Sequence, residues 1–355
     1  MLKGILLHGG YGTRLKPLTY TRPKQLLPIA NIPMSQYGIT SLKNAGITDI
    51  AIVIGGNNSY KVKEYYGDGE KFGVKITYIY QDEPKGISHA ISLCEDFIGS
   101  HKFVVFLGDN VMLKDIVSYA KEFDNEGDAA KILLCEVSNP SQFGIADITK
   151  DGKIKKIMEK PKNPPTNLAV TGIYFLSPVI FDIIKKLKPS WRNELEITDA
   201  LQILLESNQK ISYDIITGYW KDTGTPDDIM EANRIILSSM APYFHGQKEN
   251  GVTIKGKVMI GKNTNIKNDT TIEGPVIIGE NCLISGTTYI GPNTSIGNNS
   301  KLNNCTIDNS IIMDGCYIDG KISITNSIVS HNSKITSSQQ KKTILMLGED
   351  TTIIL

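Results

Sequence analysis

Gly9, Gly10 and Gly12 follow a short apolar run and precede Arg14 and Lys24. Glycines so spaced let a backbone approach a ligand closely and aim amide N–H groups at phosphate oxygens, while the two cations add fixed positive charge. The string Leu7-His8-Gly9-Gly10-Tyr11-Gly12-Thr13-Arg14-Leu15 fails the G-x-G-x-x-G dinucleotide fingerprint, because Leu15 stands where the third glycine belongs. It also lacks the Gly-Lys-Ser/Thr of a Walker loop. A nucleoside triphosphate remains the natural guest, beside the plainer alternative of a tight βα turn with solvated cations.

Asp109 ends the run Phe103-Val104-Val105-Phe106-Leu107-Gly108, and Asp222 lies far away in Trp220-Lys221-Asp222-Thr223-Gly224. Two carboxylates brought together suit Mg²⁺, which takes few protein oxygens and keeps the rest of its shell for water and substrate phosphate. Taken singly, each is also an ordinary turn or cap residue. Gln81, in Tyr80-Gln81-Asp82-Glu83-Pro84-Lys85-Gly86, offers a donor and an acceptor that match the adjacent imide N–H and carbonyl of thymine or uracil. Gly86 leaves room for a base against backbone, although a loop and helix start would use the same residues. Asp228 and Glu231 read as a solvated helix face.

Elements that position these residues follow from periodicity. Apolar β-type runs at residues 4–7, 50–54, 74–80 and 103–107 alternate with amphipathic stretches at 35–44, 59–66 and 86–97. This βαβ grammar predicts a doubly wound parallel sheet, with ligands bound at the carboxyl ends of its strands, in the loops after Leu7, Tyr80 and Leu107.

Near residue 240 the grammar changes. Ile254, Ile260, Ile266, Ile272, Ile278, Ile284, Ile290, Ile296 and Leu302 recur at every sixth position, with small or β-branched residues four places on, as at Thr264, Cys282 and Ser300. Such a hexapeptide period puts one aliphatic side chain per face inside a coiled prism. Glycine and asparagine after the rungs suit corners with unusual backbone angles. After Leu302 the phase slips and resumes at Ile312, Ile318 and Ile324, which predicts a longer corner or an excursion around residues 303–309. Residues 341–355 read as a terminal strand or strand pair capping the last coil.

The 355 residues suggest about two domains, divided into 1–240 and 241–355. With 38 Lys+Arg against 37 Asp+Glu there is no global field to attract nucleic acid or an anionic membrane, so phosphate chemistry must be local. Cys94, Cys135, Cys282, Cys305 and Cys316 are dispersed, which predicts buried free thiols rather than disulfides or a zinc site. No apolar run reaches a membrane span, and the first residues read as a strand; a cytoplasmic location is expected.

The full string Gly9-Gly10-Tyr11-Gly12-Thr13-Arg14-Leu15-Lys16-Pro17-Leu18-Thr19, with Arg22-Pro23-Lys24-Gln25-Leu26, resembles the sugar-1-phosphate nucleotidylyltransferases. Within that family the whole chain is similar to the long form of glucose-1-phosphate thymidylyltransferase. The resemblance implies an α/β fold: a Rossmann-like doubly wound nucleotidyltransferase domain followed by a left-handed parallel β-helix. It implies Mg²⁺-dependent transfer of a nucleotidyl group from dTTP to glucose 1-phosphate. Catalytic roles then fall to Arg14 and Lys24, and metal positions to Asp109 and Asp222. Leu7, Gly9, Gly10, Gly12, Thr13, Arg14 and Gln25 would surround the nucleotide from the first loop. Gln81, Pro84, Gly86 and Asn110 would complete that site from the next two.

The resemblance also implies sugar-phosphate contacts from Gly144, Glu159, Lys160, Val170 and Tyr174. Phe143 departs from the tyrosine of many relatives, and Trp220 either packs beside the sugar or fills the core. UTP-dependent uridylyl transfer is the alternative within the class. Bifunctional acetyl transfer is a further one, but His331 in the ladder has no acid or base beside it in sequence. The repeats are therefore assigned to assembly, stability or regulation, with a homo-oligomer expected.

Overall fold

The computed structural model describes residues 2–10, 12–56 and 58–354, side chains of 338–342 excepted, in two compact units: Met1–Tyr11 with Ser35–Asp222, and Gly12–Met34 with Thr223–Leu355. The division at residue 240 expected from chain grammar does not coincide with these units. Residues 12–34 pack with the C-terminal half.

The first unit is built on a mixed sheet. Lys3–His8 lies between Phe103–Leu107 and Asp49–Ile54, with Lys75–Tyr80 beyond, all parallel. The order therefore reverses beside Lys3–His8, and its carboxyl end and that of Phe103–Leu107 flank the switch point where such sheets bind ligands. Phe103–Val105 are wholly inaccessible, as expected of a Val/Phe strand covered on both faces. Helix Met34–Asn44 packs tightly here, since a Cβ on Gly38 would lie 2.9 Å from Leu6.

Antiparallel strands extend the sheet, a feature the βαβ reading did not foresee. Leu168–Leu176 runs antiparallel to Phe103–Leu107, and it carries Gly144–Ile148, Ile154–Glu159 and Ala130–Glu136. The helix expected over 86–97 is two, Ile87–Ser92 and Glu95–Ile98.

The second unit contains helix Pro226–Ser239 and a parallel β-helix. Asp228 is no solvated face residue: it accepts from the Thr225 amide at 2.9 Å and closes a capping box. In the β-helix Val258–Ile260, Val276–Ile278 and Thr294–Ile296 stack in register, Ile260 on Ile278 on Ile296, eighteen residues or three hexapeptides per coil. The rungs Ile266, Ile272, Ile278, Ile284, Ile290 and Ile296 are each at most 1% exposed. Corner asparagines such as Asn263, Asn281 and Asn299 do adopt left-handed angles, φ 56 to 58°. Gly256, Gly286 and Gly315 do so too, but Gly261, Gly279, Gly291 and Gly297, directly after rungs, do not. A Cβ on Gly261 would sit 2.5 Å from the Gly279 carbonyl carbon, so glycine there permits coil-to-coil approach rather than an unusual angle.

The slip after Leu302 is a shortening, not the longer corner expected. Ile296 pairs with Ile312, sixteen residues on, and Ile307 becomes a fully buried rung five residues after Leu302. Lys301–Asp308 runs as one strand with a register shift, so the corner between two faces is tightened. At the C-terminus, Met346–Leu347 and Thr352–Ile354 each add to a stack, matching the expected strand pair; Leu355 lies outside the described residues. All five cysteines are free, and four are buried; Cys135 is only partly so.

Candidate active site

In the first unit, Gly9, Gly10, Gly55, Gly56, Gln81 and Pro84 line a cleft. Leu7 is buried in the strand leading to it. Gly55 and Gly56 escaped sequence reading, although a glycine pair directly after Asp49–Ile54 is the same signal as Gly9-Gly10. Gln81 is 5% exposed, and its Nε2 lies 3.0 Å from His89 Nδ1, which fixes the amide plane. Its Oε1 would lie 3.5 Å from a Cβ on Gly9, so the amide faces the glycine turn. Glycine at 86 is demanded by the fold: φ is 101°, and a Cβ would meet the Leu195 carbonyl oxygen at 2.6 Å. The same carbonyl accepts from Ser88 N at 3.1 Å, while Leu195 N donates to Lys85 O at 2.8 Å.

Asp109 and Asp222, 113 positions apart in sequence, are brought together by strand pairing. Trp220–Asp222 runs antiparallel to Asn110–Met112 and sets Asp222 opposite Asn110, next to Asp109. Asn110 is 2% exposed and fully engaged: Oδ1 accepts from Trp220 Nε1 at 2.8 Å and Gly172 N at 3.1 Å, while Nδ2 donates to Asp109 Oδ1 at 3.0 Å. Trp220 is buried with its ring edge on Phe143, centroids 5.9 Å apart, so it frames the site by holding Asn110. His8 is kept neutral: burial pushes its imidazole down to about 3, against the opposing charge of Asp109.

The sugar-side residues form a charged cluster. Glu159 faces Gly144 across paired strands, accepts from Arg192 Nη1 at 3.2 Å and from Thr198 Oγ1 at 3.1 Å. Burial, and then the Glu196 charge, hold its carboxyl above the usual range. Arg192 also pairs with Glu194 and with Glu196, the latter at 3.4 Å. Arg192, Glu196 and Thr198 were missed in sequence; the charged string Arg192-Asn193-Glu194-Leu195-Glu196 was the available signal. Lys160 is exposed on a left-handed backbone, φ 41°, of the strained kind found at functional sites. Val170 and Tyr174 are buried on the central strand. The Tyr174 phenol is raised by burial first and then by Glu159, Asp109, Asp222 and Glu196, so one side chain feels both carboxylate sets.

In the second unit, Gly12 has φ 58°, and its carbonyl accepts from Thr19 Oγ1 at 2.8 Å, shaping the turn Thr13–Leu15. Thr13 and Arg14 are exposed, the Arg14 guanidinium lying where a Cβ on Gly224 would come within 2.7 Å. Lys24 and Gln25 begin a second short turn, Lys24 half-buried and Gln25 inside. Tyr11 lies outside the described residues.

The carboxylates of Asp109 and Asp222, delivered by the paired strands, are hard oxygen donors of the kind a divalent cation takes while keeping water and phosphate in its remaining positions. Among the described residues no cluster of three or more His, Cys, Asp or Glu offers an all-protein cage. In the β-helix, His331 is buried, with Nδ1 3.9 Å from Asp314 Oδ2, a pairing that sequence spacing did not reveal. Among the described residues no helix is long and apolar enough to cross a membrane.

The model of the nucleotidyl transferase family matches residues 3–239, and that of the GMPPB C-terminal domain matches residues 272–354. The low-salt glycan biosynthesis nucleotidyltransferase Agl11 of Haloferax volcanii is 45% identical, over 95% of this chain and 94% of the relative. A glucose-1-phosphate thymidylyltransferase of Streptomyces antibioticus is 39% identical with the same coverage. A solved Bacillus anthracis chain assigned as a glucose-1-phosphate thymidylyltransferase, in complex with a sucrose, superposes with TM-score 0.64 at 42% identity, over 69% of this chain and 98% of that one. The chain belongs to the nucleotidyl transferase family.

Proposed function

We propose that this nucleotidyl transferase joins dTTP to glucose 1-phosphate, giving dTDP-glucose and pyrophosphate. One observation carries the reading: a glycine-lined cleft with a fixed amide, a carboxylate pair and a half-buried Glu159–Arg192 cluster all belong to the first unit. Base, phosphate and sugar each find their matching chemistry among these groups.

A phosphate oxygen of the sugar 1-phosphate attacks the α-phosphorus of the nucleotide. The new P–O bond forms as the bond to the bridging oxygen of the β-phosphate breaks, and pyrophosphate departs with that electron pair. The nucleophile is already an anion near neutrality, so no side chain need remove a proton, and catalysis is positioning and charge neutralisation. Arg14 and Lys24 neutralise the phosphates, with Gly9, Gly10, Gly12 and Thr13 offering backbone donors. Gln81 reads the imide edge of the base in the cleft with Pro84. Glu159 accepts from sugar hydroxyls, Lys160 binds the sugar phosphate, and Gly144 lends backbone beside them. Mg²⁺ held by Asp109 and Asp222 would supply further positive charge at the phosphates when bound. Asn110 serves this carboxylate pair as a positioning residue.

The imide edge is common to thymine and uracil, so Gln81 equally suits a UTP-dependent enzyme. The choice turns on one methyl group, worth about 1–3 kcal/mol in a pocket, and on the ribose 2′-hydroxyl. Product analysis pairing dTTP, UTP, GTP and CTP with glucose, glucosamine and mannose 1-phosphates tests the reading. Expected is pyrophosphate with dTDP-glucose, dTTP preferred to UTP by roughly tenfold or more. A preference for UTP would replace the nucleotide, and no release with any pair would overturn the activity.

A further inference from the structure

The segment that carries Arg14, Lys24 and Gln25 is tied to the β-helix on both sides of Lys24. Ahead of it, Arg22 Nη2 pairs with Glu349 Oε1 at 3.2 Å, the Glu349 side chain being only 10% exposed. Burial holds the Asp314 carboxyl above its ordinary range, against the Asn298 amide, from which it accepts at 2.8 Å, and then the Arg22 charge. Beyond Lys24, Pro28–Ile29 and Ile32–Pro33 form a hairpin whose turn residues, Ala30 and Asn31, have φ 48° and 63°. That turn is gripped as well. Asn31 Nδ2 donates to the Ile296 carbonyl at 2.7 Å, and Ala30 N donates to Asn233 Oδ1 at 2.9 Å. Asn233, wholly inaccessible on helix Pro226–Ser239, also accepts from Ser295 Oγ at 2.6 Å and donates to Asn293 O at 3.1 Å.

These contacts are more than a generic packing surface. Turns of three residues such as Thr13–Leu15 and Lys24–Leu26 are too short to hold a geometry by themselves. Their rigidity must come from what they are tied to, and here that is polar, directional and contributed by coils around residues 296 and 349. We propose that the β-helix is a positioning element of the transferase: Arg22–Glu349 and Asn31–Ile296 fix the cation-bearing segment on both sides of Lys24. Arg22, Asn31, Asn233 and Glu349 are thereby positioning residues, acting through Arg14 and Lys24. The inference rests on the assignment of those cations to phosphate. It departs from the expectation that the repeats serve only assembly, stability or regulation.

The test uses the full chain with Glu349→Gln, Arg22→Gln, their combination, and Asn31→Ala, which loosens the other anchor. Each is read by kcat, by KM for nucleotide and sugar phosphate, by thermal unfolding, and by amide hydrogen exchange across residues 12–34. Misplacing a phosphate-neutralising group by about 1 Å is worth up to a hundredfold, so a loss of kcat on the order of tenfold is expected for each single change. KM for sugar phosphate should stay put, because Glu159, Arg192 and Thr198 lie outside the segment. The combined variant should be no slower than either single one, since both remove the same contact. Exchange in residues 20–31 should quicken about tenfold in each single variant, whatever the substrate. Unaltered kcat and protection in Glu349→Gln and Asn31→Ala, or a lowered unfolding temperature alone, would overturn the proposal. If the wild-type chain turns over no nucleotide and sugar pair, the functional reading fails, and exchange still decides whether the β-helix fixes the segment.

Discussion

The Trp220 indole donates to Asn110 Oδ1 at 2.8 Å, and the other end of that amide donates to Asp109 Oδ1 at 3.0 Å. The orientation of the Asp109 carboxylate is thus set by a tryptophan 111 positions away, through an amide with no freedom to turn. Trp220→Phe keeps the ring against Phe143 but removes the donor. A single hydrogen bond is worth about 0.5–1.5 kcal/mol, so kcat should fall roughly two- to tenfold, with more Mg²⁺ needed for half-maximal rate. Metal titrations superimposable on wild type would show that Asn110 does not position Asp109.

Asp222 stands opposite Asn110 in the same two-stranded pairing, which gives the carboxylate pair its geometry. Asp222→Asn should leave the circular dichroism spectrum intact and abolish metal-dependent pyrophosphate release, a fall of about 10³ or more by analogy with other charge-stabilising groups in phosphoryl transfer. Wild-type turnover in that variant, or full activity of the native chain in excess chelator, removes the metal assignment.

Gln81 is held by His89 and faces a cleft remote from the reacting phosphorus. Gln81→Ala should narrow the difference in kcat/KM between dTTP and GTP by about tenfold or more, because a site built to hydrogen-bond a base edge discriminates through the groups it would otherwise leave unpaired. An equal loss for all nucleotides would make Gln81 a structural residue.

Glu159 is displaced upward by burial and then by Glu196. A carboxyl raised by folding binds more protons in the native state than in the unfolded one. Its stabilising contribution is therefore complete below the ordinary glutamate value and declines as pH climbs through the native value. Glu159→Gln deletes that decline. The unfolding temperature of the variant relative to wild type should rise as pH climbs above the ordinary glutamate range. A difference independent of pH would contradict the assignment.

Ile290 is a rung with no exposed surface, stacked between Ile272 and Ile307. Ile290→Ala should cost about 2–5 kcal/mol by leaving a cavity that the coils cannot close. Thr287→Ala, at an exposed corner of the same coil, should stay within about 0.5 kcal/mol. Chemical denaturation followed by circular dichroism separates the two, and equal costs would mean the rungs are not the core.

What the sequence determined by itself is whatever depends on spacing along the chain. The Gly9-Gly10-x-Gly12 string beside Arg14 and Lys24 marked a phosphate loop, because backbone approach and charge are local properties. Rungs from Ile260 to Ile296 gave the three-sided coil, because a period of six survives without knowing which strand pairs with which. The tertiary structure decided matters of pairing between distant segments. Register sets Asp222 opposite Asn110, the neighbour of Asp109 in the chain, and the zipper of Lys85 and Ser88 with Leu195 brings in the stretch that puts Arg192 on Glu159. Likewise, whether the phase slip after Leu302 lengthened or shortened a coil rested on the partner of Ile296, sixteen residues away instead of eighteen. Residues 12–34 joined the β-helix because Asn233, the Ile296 carbonyl and Glu349 satisfy their polar groups there, and no local pattern announces where a buried donor will find its acceptor.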